Sequence, residues 1–331
     1  MRIAVLGAGA VGARAVRQLA STPEVTHVAV ADVDARRTAM VTESIADAER
    51  VVARPAAPGW SDGADVAILA IPGGTHRAEA ERLLEQRIAV VSTGDGLEDV
   101  RALLALDAEA TERSLAVVLG AGFSPGLSDL LAAHAAAGFD VVDEVHVSRL
   151  GTGGPACARQ HHRALAGEAV ERRDGGWTRR RAGSGRELSW FPDPIGAADC
   201  YRAAVPDPLL LAAAFPTATR VSARVAATRR DRLTARLPML RPPHREAGLG
   251  AIRVEVRGRR GVSRDVTVLG AIDRPAIAAG AVVALAAVAV ARGEVGPGAH
   301  GLAGSGLATV PFLAELARRG VKAAAFVGAA T

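Results

Sequence analysis

The stretch RIAVLGAGAVGARAVRQLA, from Arg2 to Ala20, is an apolar strand, a glycine-rich turn and a helical segment in direct succession. The turn has the pattern G-x-G-x-x-G and consists of Gly7, Ala8, Gly9, Ala10, Val11 and Gly12. The first glycine permits a tight turn, the second lets the backbone approach a pyrophosphate, and the third lets the helix pack on the strand. The helix N-terminus then faces the phosphates. The segment predicts a turn that binds a dinucleotide. The alternative is a domain that keeps this strand, turn and helix but no longer binds the ligand.

A carboxylate follows at the distance that such a turn requires. Asp32 lies 20 residues after Gly12, at the end of the second predicted strand, where it would hold the adenosine ribose hydroxyls. Asp32 repels a 2′-phosphate and favours NAD, whereas Arg36 and Arg37 are close enough to receive that phosphate and favour NADP. We expect NAD or NADP as the cofactor, with a slight preference for NAD.

A second cofactor segment is IPGGTH, from Ile71 to His76, at the carboxyl end of the fourth predicted strand. A bound dinucleotide is usually met at this edge of a parallel sheet, so we expect Pro72 and Thr75 to line the nicotinamide side. The alternative for Thr75 is a plain cap of the helix that follows.

Apolar strands alternate with helices over the first 120 residues. Predicted strands cover Arg2–Leu6, His27–Ala31, Val51–Ala53, Asp65–Ile71, Ile88–Ser92 and Leu115–Leu119, and predicted helices cover about Ala35–Glu49, His76–Glu85 and Glu98–Glu112. Continuous apolar strands separated by helices predict a doubly wound parallel sheet of the α/β class, a Rossmann domain.

The pattern changes after Gly122. A helix is predicted over about Pro125–Ala137, and in IRVEVRGR the side chains of Ile252, Val254 and Val256 alternate with charged ones. Such half-buried strands predict an α+β second domain with an open mixed or antiparallel sheet. The chain has 331 residues, enough for two domains. We expect a dinucleotide-binding domain over 1–123, a substrate-binding and dimerisation domain over 124–304, and a terminal segment, 305–331, that packs back on the first domain.

The charge is unevenly distributed. The net charge is +5, and 39 of the 40 basic residues are Arg, the exception being Lys322. Residues 1–150 carry a net charge of −8 and the remainder +13. Aromatic residues are only 3%, too few for base-stacking surfaces, so we expect a small anionic substrate rather than a nucleic acid.

Cysteine content and hydropathy indicate the compartment. Cys157 and Cys200 are too few for a disulfide framework, and no export segment precedes the first strand, which predicts a cytoplasmic protein. The apolar run Pro275–Ala291 has 17 residues, marginal for a membrane span, and we expect a buried helix there and no membrane partner.

The motifs GAGAVG, IPGGTH and above all GAGFSPGLSDLLA, Gly120–Ala132, resemble those of the saccharopine dehydrogenase-like NAD(P)-dependent reductases, and the terminal PFLAELARRGVKAAAFVG is also similar. The resemblance covers the first 135 residues well. It implies a Rossmann domain followed by a dihydrodipicolinate reductase-like domain, and reduction of an imine formed from an amino acid, or the reverse oxidation. Relatives with this second domain often form dimers, so a homodimer is expected.

The chain departs from related families at the proton donor. Related sugar oxidoreductases use a Lys after the fifth strand, where this chain has VVSTGDG, and dihydrodipicolinate reductases use a His and Lys pair. No Lys precedes Lys322, so the donor must be another acid or water. The missing Lys supports the main rival hypothesis, a non-catalytic dinucleotide-binding sensor or partner subunit.

The segment GTGGPACARQHHRAL, from Gly151 to Leu165, is the candidate substrate site. Pro155 suits a helix start, where free backbone N–H groups and a nearby hydroxyl can hold a carboxylate. We predict that the substrate contacts Thr152, Gly153, Gly154 and Arg159. A further predicted contact is Ser124, which lies in the motif GAGFSPGLSDLLA. His162 and His161 are the candidate proton-transfer groups, in that order, because imidazole exchanges protons near neutral pH.

Other residues have plainer interpretations. Cys157 is an improbable nucleophile because hydride transfer needs none, and no second ligand cluster accompanies it, so no metal is expected. Tyr201 is expected to pack with a wet hydroxyl, and Ser124 to cap the helix at Pro125 if it does not touch the substrate. Asp129 is a weaker candidate for the site.

Overall fold

The computed structural model describes residues 1–47, 49–239, 243, 248–321 and 323–325; Lys322 and much of the terminal motif lie outside this part. The chain divides into two compact units. The first consists of Met1–Gly126 and Ala276–Leu307, and the second of Leu127–Pro275 with the described residues after Leu307.

The first unit contains a parallel sheet whose described strands follow the order β15-β6-β5-β4-β1-β2-β3. The strands are β1 (Arg2–Leu6), β2 (His27–Asp32), β3 (Val51–Pro55), β4 (Val66–Leu69), β5 (Ala89–Ser92), β6 (Ala116–Leu119) and β15 (Gly298–Gly301). The strand order reverses between β1 and β4, and ligands of such sheets bind outside the carboxyl ends at this switch point. The doubly wound α/β fold is confirmed.

Helices connect these strands and bury their apolar faces. They are α1 (Gly12–Ala20), α2 (Ala35–Glu43), α3 (His76–Glu85), α4 (Leu97–Leu104), α5 (Asp107–Glu112) and α10 (Pro275–Ala291). The residues of β4, β5 and β6 are all buried, as their unbroken apolar sequences predict. Helix α10 is apolar on all sides and almost entirely buried, and its Gly280 lies against Arg14 and Ala15. Among the described residues, no helix is both long and apolar enough to cross a bilayer.

The second unit contains a mixed sheet with the order β10-β11-β12-β7-β13-β14-β16, and the hairpin of β8 and β9 attaches to β12. The described strands are β7 (Val141–Leu150), β8 (Glu168–Arg173), β9 (Gly176–Arg181), β10 (Glu187–Phe191), β11 (Gly196–Arg202), β12 (Arg220–Ala226), β13 (Gly250–Arg260), β14 (Ser263–Asp273) and β16 (Ala323–Ala325). β7 is parallel to β12 and antiparallel to β13. The expected open mixed sheet is confirmed.

One face of this second sheet is covered by helices. The helices of this unit are α6 (Leu127–Ala136), α7 (Pro155–Ala164), α8 (Asp207–Ala214), α9 (Arg229–Thr234) and α11 (Thr309–Arg318). Helix α6 packs on β13 and β14, and α8 packs on β12. The core beneath them comes from the buried alternate positions of the strands, such as Val145, Val221 and Val254.

The division of the chain differs from the expected one at its C-terminal end. Residues 276–304, assigned to the second domain, belong to the first unit, because α10 packs there and β15 pairs in parallel with β6. The segment 305–331 was expected to pack on the first domain, but α11 packs on α6 and β16 pairs with β14, both in the second unit. The pairing of β15 with β6 and the packing of α11 on α6 decide these placements. Neither contact can be predicted from the local sequence pattern.

Candidate functional site

The glycine turn of the first unit has the geometry that the motif predicts. Gly7 adopts φ +103°, which non-glycine residues rarely adopt, and its N–H donates to the carbonyl of Ala31 at 2.7 Å. A Cβ on Gly12 would overlap the carbonyl oxygen of Gly7, so the third glycine is required by packing within the chain. A Cβ on Gly9 would meet no heavy atom within 4 Å, so close packing in the chain does not explain that glycine. The space beside Gly9 leaves the backbone open to a ligand.

Asp32 is joined directly to this turn. Its Oδ2 accepts the N–H of Ala8 at 2.7 Å, and its Oδ1 accepts the N–H of Asp34 at 2.8 Å. Each carboxylate oxygen can accept a second hydrogen bond, so two ribose hydroxyls can still be received. The carboxylate is therefore fixed at the mouth of the glycine turn, and these residues fit a dinucleotide.

The two arginines after Asp32 differ in their surroundings. Asp34 caps α2 by accepting the N–H of Arg36 at 3.1 Å, and its carboxylate lies 3.4 Å from the guanidinium of Arg37. The Arg36 side chain is exposed at the start of the helix, where it could reach a 2′-phosphate. The structure thus keeps both NAD and NADP open.

The segment IPGGTH forms an exposed loop between β4 and α3 in which Pro72 and Thr75 both face solvent. Thr75 occupies the N-cap position of α3, yet no hydrogen bond from its side chain caps this helix in the described structure. The alternative interpretation, in which the Thr75 side chain caps α3, is therefore wrong. His76, which the sequence interpretation left without a role, is fully buried, and burial lowers its pKa despite the opposing charge of Asp99.

The candidate substrate segment of the second unit begins with a sharp turn. Gly154 precedes α7 with φ +133°, and its carbonyl accepts the N–H of Ala158 at 2.9 Å. Gly153 and Gly154 are buried, Gly154 is the N-cap residue and has no side chain that could cap the helix, and Pro155 at the first helical position has no N–H. Thr152 is half-buried beside them. The carboxylate site at this helix start stays a prediction.

The predicted side chains of α7 lie in different environments. Arg159 is exposed, and Nε2 of His162 donates to the carbonyl of Leu237 at 3.0 Å. His161 is nearly buried, and Nδ1 of its ring has no hydrogen-bond partner among the described residues. Burial and then the positive charge of Arg149 lower the pKa of His161 to about 4, against the opposing influence of Asp231 and a backbone carbonyl. His161 is therefore uncharged at neutral pH.

The sequence interpretation missed Arg149, which is only 5% exposed. It continues the buried positions Val145 and Val147 of β7, so the signal was a charged residue on the apolar register of an alternating strand. Arg149 pairs in register with Val225 of the parallel β12. Both strands end at the same edge of the sheet, and the helix carrying His161 follows directly after β7.

Three further buried residues are Ser124 and Asp129, which the sequence analysis named, and Asp207, which it did not. Ser124 is buried and lies three residues before α6, which begins at Leu127. The expected cap of a helix at Pro125 is therefore wrong. A turn precedes the helix, and in it the N–H of Gly122 donates to the carbonyl of Pro125 at 3.1 Å. Asp129 is fully buried, and the Ser128 hydroxyl lies 3.4 Å from its carboxylate. The same hydroxyl lies 3.5 Å from Asp207, a buried acid that the sequence interpretation did not single out.

The remaining candidates have ordinary packing roles. Tyr201 is buried with the guanidinium of Arg232 4.0 Å from its ring centre. Cys200 is buried, which raises the pKa of its thiol to about 11, and Cys157 is half-buried. The described residues contain no group of three or more side chains that could hold a metal ion.

Together, the sheet order, the glycine turn and Asp32 define the fold of the NAD(P)-dependent dehydrogenases. Residues 2–98 match the family model of the semialdehyde dehydrogenase NAD-binding domain. No curated protein matches the sequence.

Solved structures extend this likeness to the whole chain. Apo saccharopine dehydrogenase (L-Glu forming) from Saccharomyces cerevisiae is 15% identical, with a TM-score of 0.71, over 98% of this chain and 100% of that one. DAP dehydrogenase from C. glutamicum, solved with DAP, is 16% identical, with a TM-score of 0.52, over 91% and 92% of the two chains. The predicted resemblance to the saccharopine dehydrogenase-like reductases is thereby confirmed in the fold; identities this low carry no information on the substrate.

Proposed function

We propose that this chain is an NAD(P)-dependent oxidoreductase that transfers a hydride to or from the C=N or C=O carbon of a small, carboxylate-bearing substrate resembling an amino acid. The observation that carries the proposal is the Asp32 carboxylate, held by the N–H of Ala8 inside the glycine turn at 2.7 Å. A carboxylate so placed receives ribose hydroxyls, and the turn itself receives the pyrophosphate. The match of residues 2–98 to an NAD-binding domain supports the same cofactor.

A bound nicotinamide dinucleotide would supply or accept the hydride, and the chain would orient it. Asp32 would accept hydrogen bonds from the adenosine ribose, and the backbone from Gly9 to Gly12 would approach the pyrophosphate. The carboxylate of Asp32 favours NAD, because it would repel a 2′-phosphate. Arg36 is the residue that would receive this phosphate if the cofactor is NADP.

The second unit would bind the substrate and exchange its proton. The turn of Thr152, Gly153 and Gly154 before α7 would hold the carboxylate together with Arg159, since a guanidinium is a good partner for it.

Of the two histidines, His161 fits the proton acceptor better. Its ring donates to the backbone carbonyl of Ala226, which can only accept, so the other nitrogen, Nδ1, carries the lone pair and has no hydrogen-bond partner within the described structure. In the oxidative direction, Nδ1 would take the proton from the substrate nitrogen or oxygen; in the reductive direction it would return it. His162, whose Nε2 already donates to Leu237, is the second candidate.

The direct test measures cofactor oxidation in the presence of mixtures of keto acids and amines. The readout is the loss of the absorbance of the reduced nicotinamide. Substrate-dependent oxidation of NADH or NADPH is expected. Tight cofactor binding without turnover of any mixture would overturn the enzymatic proposal and favour the rival, a non-catalytic dinucleotide-binding sensor or partner subunit.

We also propose a homodimer that forms through the polar face of the second sheet. In β13, Glu255 accepts hydrogen bonds from Arg253 and Arg257, each at 2.7 Å, so this face carries both signs of charge. A surface with both signs can be complementary to itself about a twofold axis. Light scattering after gel filtration should give twice 33.8 kDa, and the single-chain mass at micromolar concentration would contradict the dimer.

A further inference from the structure

Two loops at the carboxyl edge of the first sheet are tied together by buried side chains. The first loop, between β4 and α3, contains the exposed residues Pro72–Thr75, and the second, between β5 and α4, begins at Thr93. β4 and β5 are neighbours in the sheet, and β4 borders the switch point where a dinucleotide of this fold is met. Whatever fixes these loops therefore fixes one wall of the proposed cofactor site.

The first tie runs through the imidazole of His76. Nε2 lies 3.0 Å from the carbonyl oxygen of Ile71, which can only accept, so Nε2 carries the proton. Nδ1 is then an acceptor, and the Ser92 hydroxyl donates a hydrogen bond to it at 2.9 Å. The Ser92 oxygen in turn accepts the N–H of Gly94 at 3.1 Å. The hydrogen bonds run in one direction, from the second loop through a neutral imidazole to the first.

Two more ties join the same loops. The N–H of Gly74 donates to the carboxylate of Asp99 at 2.8 Å and 3.1 Å, and a Cβ on Gly73 would lie 2.5 Å from that carboxylate. The Thr93 hydroxyl donates to the carbonyl of Leu69 at 3.1 Å. Leu69 is the last residue of β4 and Asp99 lies in the first turn of α4, so these hydrogen bonds hold the first loop near both of its ends.

His76 and Ser92 do not need this arrangement for burial alone, since two apolar side chains would fill the same interior without a directional requirement. What the polar chain adds is a fixed position for the backbone of Ile71–Gly74. Sites that bind by preorganisation hold their binding groups through such supporting hydrogen bonds.

We propose that His76 and Ser92 are positioning residues that hold the Ile71–Gly74 loop in place to receive the nicotinamide half of the dinucleotide. This inference rests on the proposed cofactor binding and adds to it which half of the cofactor depends on these residues. Neither side chain touches the cofactor; both act through the loop. The adenosine half depends instead on Asp32 and the glycine turn.

The test separates the two halves of the cofactor. Dissociation constants are measured for the preferred reduced dinucleotide and for the corresponding ADP-ribose, which lacks only the nicotinamide. In Ser92→Ala, the first constant should rise about two- to tenfold, the effect of one lost hydrogen bond, while the second stays within about twofold of wild type. His76→Asn should show the same selective loss.

Ser61→Ala is the matched control. Ser61 is also fully buried in the first unit, and its hydroxyl bonds to the side chain of Gln86, at the opposite end of α3. A merely structural role for Ser92 predicts that both serine variants lower the midpoint of unfolding and that neither separates the two ligands; that result would overturn the inference. If wild type binds neither ligand, the proposed cofactor binding itself is wrong.

Discussion

The buried imidazole of His161 makes the stability of the protein depend on pH in a defined way. Its pKa is lowered from 6.5 to about 4, chiefly by burial and next by the charge of Arg149, so the folded protein holds this group neutral. Because the unfolded chain binds the proton more readily, the stabilisation is complete above pH 6.5 and is lost as the pH falls toward 4. The difference in pKa corresponds to at most about 3 kcal/mol.

The perturbation is His161→Gln, which keeps an amide group but cannot titrate. Urea unfolding of wild type and variant is measured at about pH 7.5 and about pH 4.5, where most of the loss, about 2 to 3 kcal/mol, has accrued in wild type only. The variant should therefore lose about that much less stability on acidification. His134→Gln, which removes an exposed histidine from the same unit, controls for the substitution itself. An NMR titration that places the His161 ring near 6.5, or identical pH dependence in wild type and variant, would refute the reasoning.

Three other substitutions test the two candidate sites. Asp32→Asn should raise the dissociation constant of NADH about tenfold by removing charged hydrogen bonds to the ribose, whereas Asp34→Asn, at the nearby helix cap, should change it little; equal effects would contradict the assignment. Gly12→Ala should abolish NADH fluorescence enhancement, because its Cβ would overlap the Gly7 carbonyl. Arg159→Ala should raise KM for an anionic substrate about tenfold and leave kcat nearly unchanged, with Arg163→Ala as the control; an unchanged KM would move the carboxylate site elsewhere.

The sequence predicted the first unit well because its signals are local. The strand ending at Leu6, the glycine turn and α1 are contiguous, and the carboxylate of Asp32 lies where the motif requires it. The predicted helix over Glu98–Glu112 divides near Ala105, and α2 ends at Glu43 rather than Glu49, because end positions depend on packing more than on periodicity.

The parts that escaped prediction depend on residues far apart in the chain. The strand Gly298–Gly301 has no periodic pattern and exists because β6 offers a free edge. His162 bonds to Leu237, 75 residues away, and no spacing rule relates the two. Arg149 could have been singled out from the sequence, since it is a charged residue in the apolar register of β7.

Hydride transfer between a nicotinamide dinucleotide and a carbon that bears nitrogen or oxygen is the activity that we propose for this chain. The most direct measurement uses NADH and NADPH that carry two deuterium atoms at C4 of the nicotinamide. They are incubated with the protein and paired keto acids and amines, and the products are examined by mass spectrometry. One product should gain a single deuterium on the carbon bonded to nitrogen or oxygen, and His161→Gln should slow its formation. Binding of both labelled cofactors without any deuterated product would contradict the claim.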